Sequence, residues 1–326
     1  MPFKFYLNRL LYLFLVLMVV ISCKKESQLE KDIAKIGTDI QVERFDKLFA
    51  ESSESDLKKL QIAYPFMFSK KYSDTFWIEK LNDTLQKQLF FEVEKAFPNF
   101  DESEQEIESL FNHLKYYFPA FKVPRVITTT SDVDYRHKVI VTDTIDIISL
   151  DTYLGSDHEF YQGIQQYITA DMNKGQIVVD LADAYAQRYI YRPQNNTLLD
   201  EMIYYGKQLY FKDMMIPFKT EAERIAYTQE QLDWAIANES LIWRYFVERE
   251  LLYSTDSKLP GRFIIPAPFS KFYLEQIDAE SPDKLGQFIG WQIVRAYMDQ
   301  NHVSLIHMFD ASTEEIFTNT KFKPRK

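Results

Sequence analysis

The sequence predicts an α+β fold, mostly helical with a small β-sheet, in a single domain over residues 41–326. Three observations predict it. Long stretches repeat apolar residues at helical spacing. Only residues 124–151 are rich in β-branched side chains bounded by turn formers. Glycine is scarce, 8 in 326 residues, which argues against an all-β fold built from tight turns and against a Gly-rich nucleotide loop. The 26 Phe and 21 Tyr are enough to fill a large core.

The elements follow in order. QVERFDKLFA (Gln41 to Ala50) begins extended and turns helical. Thr75 to Phe97 sets Trp77, Ile78, Leu81, Leu85, Leu89 and Val93 at helical spacing and reads as one helix, ended by Pro98. Asp101 to Phe118 opens with acids, which the positive end of the helix dipole favours, and stops at Pro119. Pro124 to Thr130 and His137 to Asp151 are the strands. Helices are then expected at Gly175 to Tyr191, Asn196 to Ile216, Thr228 to Tyr253 and Ser281 to Met298. Thr228 and Gln231 have the spacing of a capping box. Ser281 and Pro282 read as the N-cap and first residue of the last helix. Gly286 and Gly290 within it form a close-packing device.

The N-terminus carries a different signal. Lys4 and Arg9 precede twelve apolar residues, Leu10 to Ile21, and then Ser22 and Cys23. A positive start, a short apolar run and a small residue form a secretory signal, and the run is shorter than the ~20 residues a spanning helix needs. Val20-Ile21-Ser22-Cys23 resembles the bacterial lipobox, so residues 1–22 are expected to be removed and Cys23 to carry lipid. Residues 23–40 then read as a polar tether. Cys23 is the single cysteine, so an acylated mature chain has no disulfide and its fold stands on packing. Stable anchoring takes two or more acyl chains.

Charge narrows the partners. The formal net charge of −10 becomes −12 once Lys4 and Arg9 leave with the signal. No basic stripe exists to neutralise phosphates, which argues against nucleic acid. Anionic headgroups do not attract such a body, so lipid holds it at the membrane while charge keeps it off the surface. A protein partner with a complementary basic patch is expected.

The chain offers no complete catalytic set. Of the five histidines only His302 and His307 are close, and five residues on a helix turn them away from a common metal. There is no HExxH, G-x-S-x-G, P-loop or G-x-G-x-x-G. No cofactor beyond lipid on Cys23, and no metal, is expected. Arg244 and Glu248, one turn apart, read either as an ion pair at the rim of the core or as a polar cluster facing a groove.

Several blocks are distinctive: SLDTYLGSDHEFY, NTLLDEMIYYGKQLYFKDMMIP, YTQEQLDWAIANESLIWRYFVERELLYSTD, APFSKFYLEQIDAESPDKLGQFIGWQIVRAYM and EEIFTNTKFKPRK. Together with the lipobox they resemble the gliding motility lipoprotein GldB family. The resemblance covers most of residues 40–326. It implies a non-enzymatic component of the machinery that moves and secretes adhesins, lodged in the cell envelope on the periplasmic face and acting by protein binding. A second resemblance is to predicted zinc proteases with H-E-Y-H-H on one helix, a Glu-Gly pair on the next and a late G-Y-x-x-G-x-x-I-V helix. Here those positions hold Asp183, Ala184 and Gln187, then Tyr205-Gly206, then GQFIGWQIV. This resemblance implies a degenerate zincin-like fold with its ligands lost and a vestigial cleft at these residues. The corresponding alternative function is a metal-independent hydrolase or a peptide-binding pseudo-peptidase.

Overall fold

The structure is a computed structural model that describes residues 28–325. The signal and Cys23 lie outside the described residues. Two compact units are present, one ending at Gly37 and one running from Thr38 onward. In the first, the stretch expected as a tether carries a helix, Gln28–Ala34.

The second unit is mostly helical with one four-stranded sheet. The strands are β1 (Val42–Arg44), β2 (Arg125–Thr129), β3 (Val139–Val141) and β4 (Ile145–Ser149), in the order β1-β2-β4-β3. β1, β2 and β4 are parallel, with Val42 opposite Val126 and Arg125 opposite Ile145; β3 is the antiparallel edge, with Val139 opposite Ile148. Successive side chains on a strand face opposite ways. Val126 and Ile148 accordingly join the main core, while Ile127 and Ile145 join a smaller cluster built around Phe45, Phe49 and Phe68.

The longer helices are α1 (Asp74–Asn82), α2 (Thr84–Ala96), α3 (Asp101–Tyr117), α4 (Ile177–Tyr189), α5 (Leu198–Met215), α6 (Gln229–Ala237), α7 (Glu239–Glu248) and α8 (Leu285–Asn301). α5 and α8 are buried on most sides, and α5 buries Asp200, Glu201, Lys207, Gln208 and Lys212 along with its apolar residues. They cross at glycines. A Cβ on Gly290 would overlap the Met202 carbonyl, and one on Gly206 would overlap the Gly290 carbonyl. Gly286 abuts Phe263 and Ile264. The close-packing reading of the glycine pair therefore holds, and its main partner is α5.

Three expected helices differ. Residues 75–97 form two helices, because Asp83 is extended (φ −64, ψ 133) and its carboxylate accepts the Gln86 N–H at 2.8 Å. Residues 228–253 also divide, at Asn238, whose side-chain amide donates to the Trp234 carbonyl at 2.9 Å. The last helix begins at Leu285 rather than near Ser281. Lys284 is left-handed (φ 52), Ser281 donates its hydroxyl to the Ser270 carbonyl, and Ser270 Oγ accepts the Leu285 N–H at 3.2 Å. A serine from another loop thus supplies the cap. The Thr228–Gln231 capping box forms as read.

Candidate functional site

α4 carries Asp180 and Asp183 three residues apart, and so on one face. Lys138, immediately before β3, meets Asp180 at 2.6 Å, and the buried Tyr153 hydroxyl donates to the same carboxylate at 2.8 Å. Lys212 of α5, almost wholly buried, contacts Asp183 at 2.9 Å. Asp171 lies within the same field. Burial raises its pKa, opposed by the charges of Lys284, Lys138 and Lys212. Asp183 behaves similarly: burial raises its pKa and Lys212 opposes the rise. Yet 36% of the Asp183 side chain is accessible. The Asp183–Lys212 pair is thus open to water on the carboxylate side and closed on the ammonium side. Burial disfavours the Lys138 ammonium, but Asp180, Asp171 and Asp183 outweigh it and its pKa is raised.

The sequence-predicted residues divide between separate networks. Asp183 is bound to Lys212; Ala184 is half-buried beside it; Gln187 is exposed. Tyr205 instead accepts a hydrogen bond from Arg192 at 3.2 Å, and Arg192 also pairs with Glu201 at 2.9 Å. Burial raises the Tyr205 pKa, opposed by the Arg192 charge. Tyr205 precedes Lys212 by two turns, about 10 Å of helix. Gly206 is buried against α8 and serves the helix crossing.

Among the described residues no group of three or more His, Cys, Asp or Glu is placed to hold a metal ion. His302 ends α8 in a left-handed conformation and His307 pairs with Glu315 at 2.9 Å. Arg244 and Glu248 stand 3.8 Å apart with about two thirds of each side chain exposed (63% and 68%). They line a groove of about 1010 Å³ whose other walls include Trp234, Tyr245, Phe272 and Leu274.

The sequence pattern does not mark Lys138, Asp171, Asp180 or Lys212 as members of one cluster. The signal was weak: Lys212 shares its helix with Lys207 and Asp213, and nothing in the sequence marks which of them is buried against an acid. Two further buried acids lie at the sheet. Burial pushes Asp146 up to about 7 against the Tyr185 hydroxyl that donates to it at 2.6 Å. Burial also pushes Asp151 up to about 6, although the Val133 and Ser131 N–H groups bind it.

No described helix is long and apolar enough to cross a membrane. No curated protein and no solved structure matches the chain. The family model described as Gliding motility protein GldB matches residues 26–324, nearly the whole described chain. By that match the chain belongs to the gliding motility protein GldB family.

Proposed function

We propose that this gliding motility component is anchored through lipid on Cys23, faces the periplasm, and acts by binding other proteins of the machinery rather than by catalysis. Family membership is the observation that carries the reading. The engagement of the charged groups along α4 supports it: Asp180 and Asp183 are each held by a lysine, Ala184 offers no proton-transfer group, and Tyr205 is bound to Arg192. The test is gliding by cells that carry single substitutions. Tyr205→Phe, which removes only the hydroxyl, leaves movement intact, and Cys23→Ala abolishes it. Normal movement with Cys23→Ala refutes the anchored reading.

The alternative, hydrolysis or peptide binding in a degenerate cleft, has one observation in its favour: the Asp183 carboxylate is desolvated yet accessible. It predicts turnover of peptides that is lost with Tyr205→Phe or Asp183→Asn. No turnover across a peptide library counts against it.

A further inference from the structure

A second recess, remote in sequence from α4, combines strain, exposed apolar surface and charge. It is a hollow of about 540 Å³ between α1, α2 and the loop after β2. Phe76, Leu85, Leu89 and Phe160 supply its apolar lining. Leu85 is 70% exposed, while α2 turns Leu89 and Val93 into the core. A neighbouring hollow of about 460 Å³ shares Phe160 and adds Phe91, 65% exposed. The rim is acidic. Glu79, Asp83 and Asp132 border the first hollow, and its one lysine, Lys80, is paired with Asp132 at 3.0 Å. Glu92, Glu159 and Lys87 border the second, and Glu92 is paired with Lys95 at 3.0 Å.

The loop that closes this recess is strained. Asp132 and Val133 both have φ of +58. Two successive left-handed residues without glycine are rare, and a β-branched one is an outlier. A wholly buried carboxylate holds the loop there. Asp151 accepts the Ser131 N–H at 3.0 Å and the Val133 N–H at 2.7 Å. Strain that a structure maintains with a dedicated buried acid belongs to the kind of site where shape is functional.

We infer that this acid-rimmed apolar groove along α2 docks a protein segment with exposed apolar anchors flanked by lysine or arginine. Charge complementarity selects that occupant. Five rim acids face two rim lysines, Lys80 and Lys87, and this acidic excess repels anionic lipid headgroups and acidic segments, while the exposed Leu85 and Phe91 reward an apolar anchor. The inference rests on the protein-binding reading above and names where the partner sits.

The experiment uses the full acylated chain in nanodiscs of neutral phosphatidylcholine, with empty discs as control. The probes are a short fluorescent peptide of leucine and lysine and its counterpart with glutamate for lysine. The lysine peptide is expected to bind the wild type and the glutamate peptide not. Leu85→Ser is expected to weaken binding by about tenfold or more, as loss of an anchor does. Glu79→Lys, on an exposed helix position, weakens the lysine peptide and raises binding of the glutamate peptide; it tests the site even if Leu85→Ser unfolds. Equal binding of both peptides, or lysine-peptide binding indifferent to both substitutions, overturns the docking site. The broader reading is tested separately by gliding of Cys23→Ala cells. If they do not glide while the peptides ignore Leu85 and Glu79, only the docking site fails; if they glide, the anchored component fails whatever the peptides do.

Discussion

Replacing Gly290 by alanine tests how closely α5 and α8 approach. The added Cβ would overlap the carbonyl oxygen of Met202 and lie 3.0 Å from its Cα. The obstacle is backbone, so no side-chain rotation relieves it, and the helices must separate at a crossing where Met202 and Trp291 are wholly buried. Alanine gains about 1 kcal/mol over glycine in helix propensity. Overpacking costs about 1–3 kcal/mol, more where the backbone must shift, and separation also opens space around the Trp291 ring. The expected net loss is ~2–4 kcal/mol, read from urea unfolding followed by circular dichroism. Gly261→Ala is the control, since Gly261 is exposed and its Cβ would meet nothing within 4 Å. Gly206→Ala should cost a similar amount, and the double variant less than the sum, because one separation serves both methyls. A Gly290→Ala midpoint within ~0.5 kcal/mol of wild type, the range of a neutral surface change, refutes the close approach.

Other expectations concern charge and caps. Asp146 holds its proton more tightly folded than unfolded, so the stability it contributes is full below about 3.8 and is lost as pH rises through about 7. Asp146→Asn should flatten that decline, which amounts to at most ~4 kcal/mol, in unfolding curves taken between pH 4 and 8; an unchanged pH dependence contradicts the assignment. Asp183→Ala leaves the buried Lys212 ammonium unpaired and should cost ~3 kcal/mol, whereas Lys212→Met leaves a carboxylate that water reaches and should cost less; equal losses in thermal unfolding would sink this ordering. Thr228→Ala removes the capping box of α6 and should cost ~1 kcal/mol, and a variant as stable as wild type refutes the cap.

Much of the fold was legible because its signals are local. The period of the apolar residues marked the helices, β-branched runs marked the sheet, and the Thr228–Gln231 box marked a helix start. Less legible were events decided by single polar residues inside an unbroken pattern. Asp83 and Asn238 interrupt helices whose apolar spacing runs straight through them. Ser281 had the right local context for a cap, but Ser270 reached the orphan N–H first, and tertiary structure overrode propensity. Gly290 could be recognised as a packing glycine, while its partner Gly206 lies on a helix far upstream. The same limit applies to the α4 cluster. Asp183 was visible as a candidate, but its lysine arrives from α5 and the lysine of Asp180 from the edge strand. The strained loop had only a faint signal: aspartate at 132 visits the left-handed region more readily than most residues, but a β-branched valine at 133 disfavours it.

The most direct measurement is a cross-linking pulldown from gliding cells with a tagged chain, compared with its Cys23→Ala form. Components of the motility or secretion machinery are expected to be recovered with the wild type and lost with Cys23→Ala. Recovery of the same components from both forms, or of none from the wild type in cells that glide, would contradict the anchored reading.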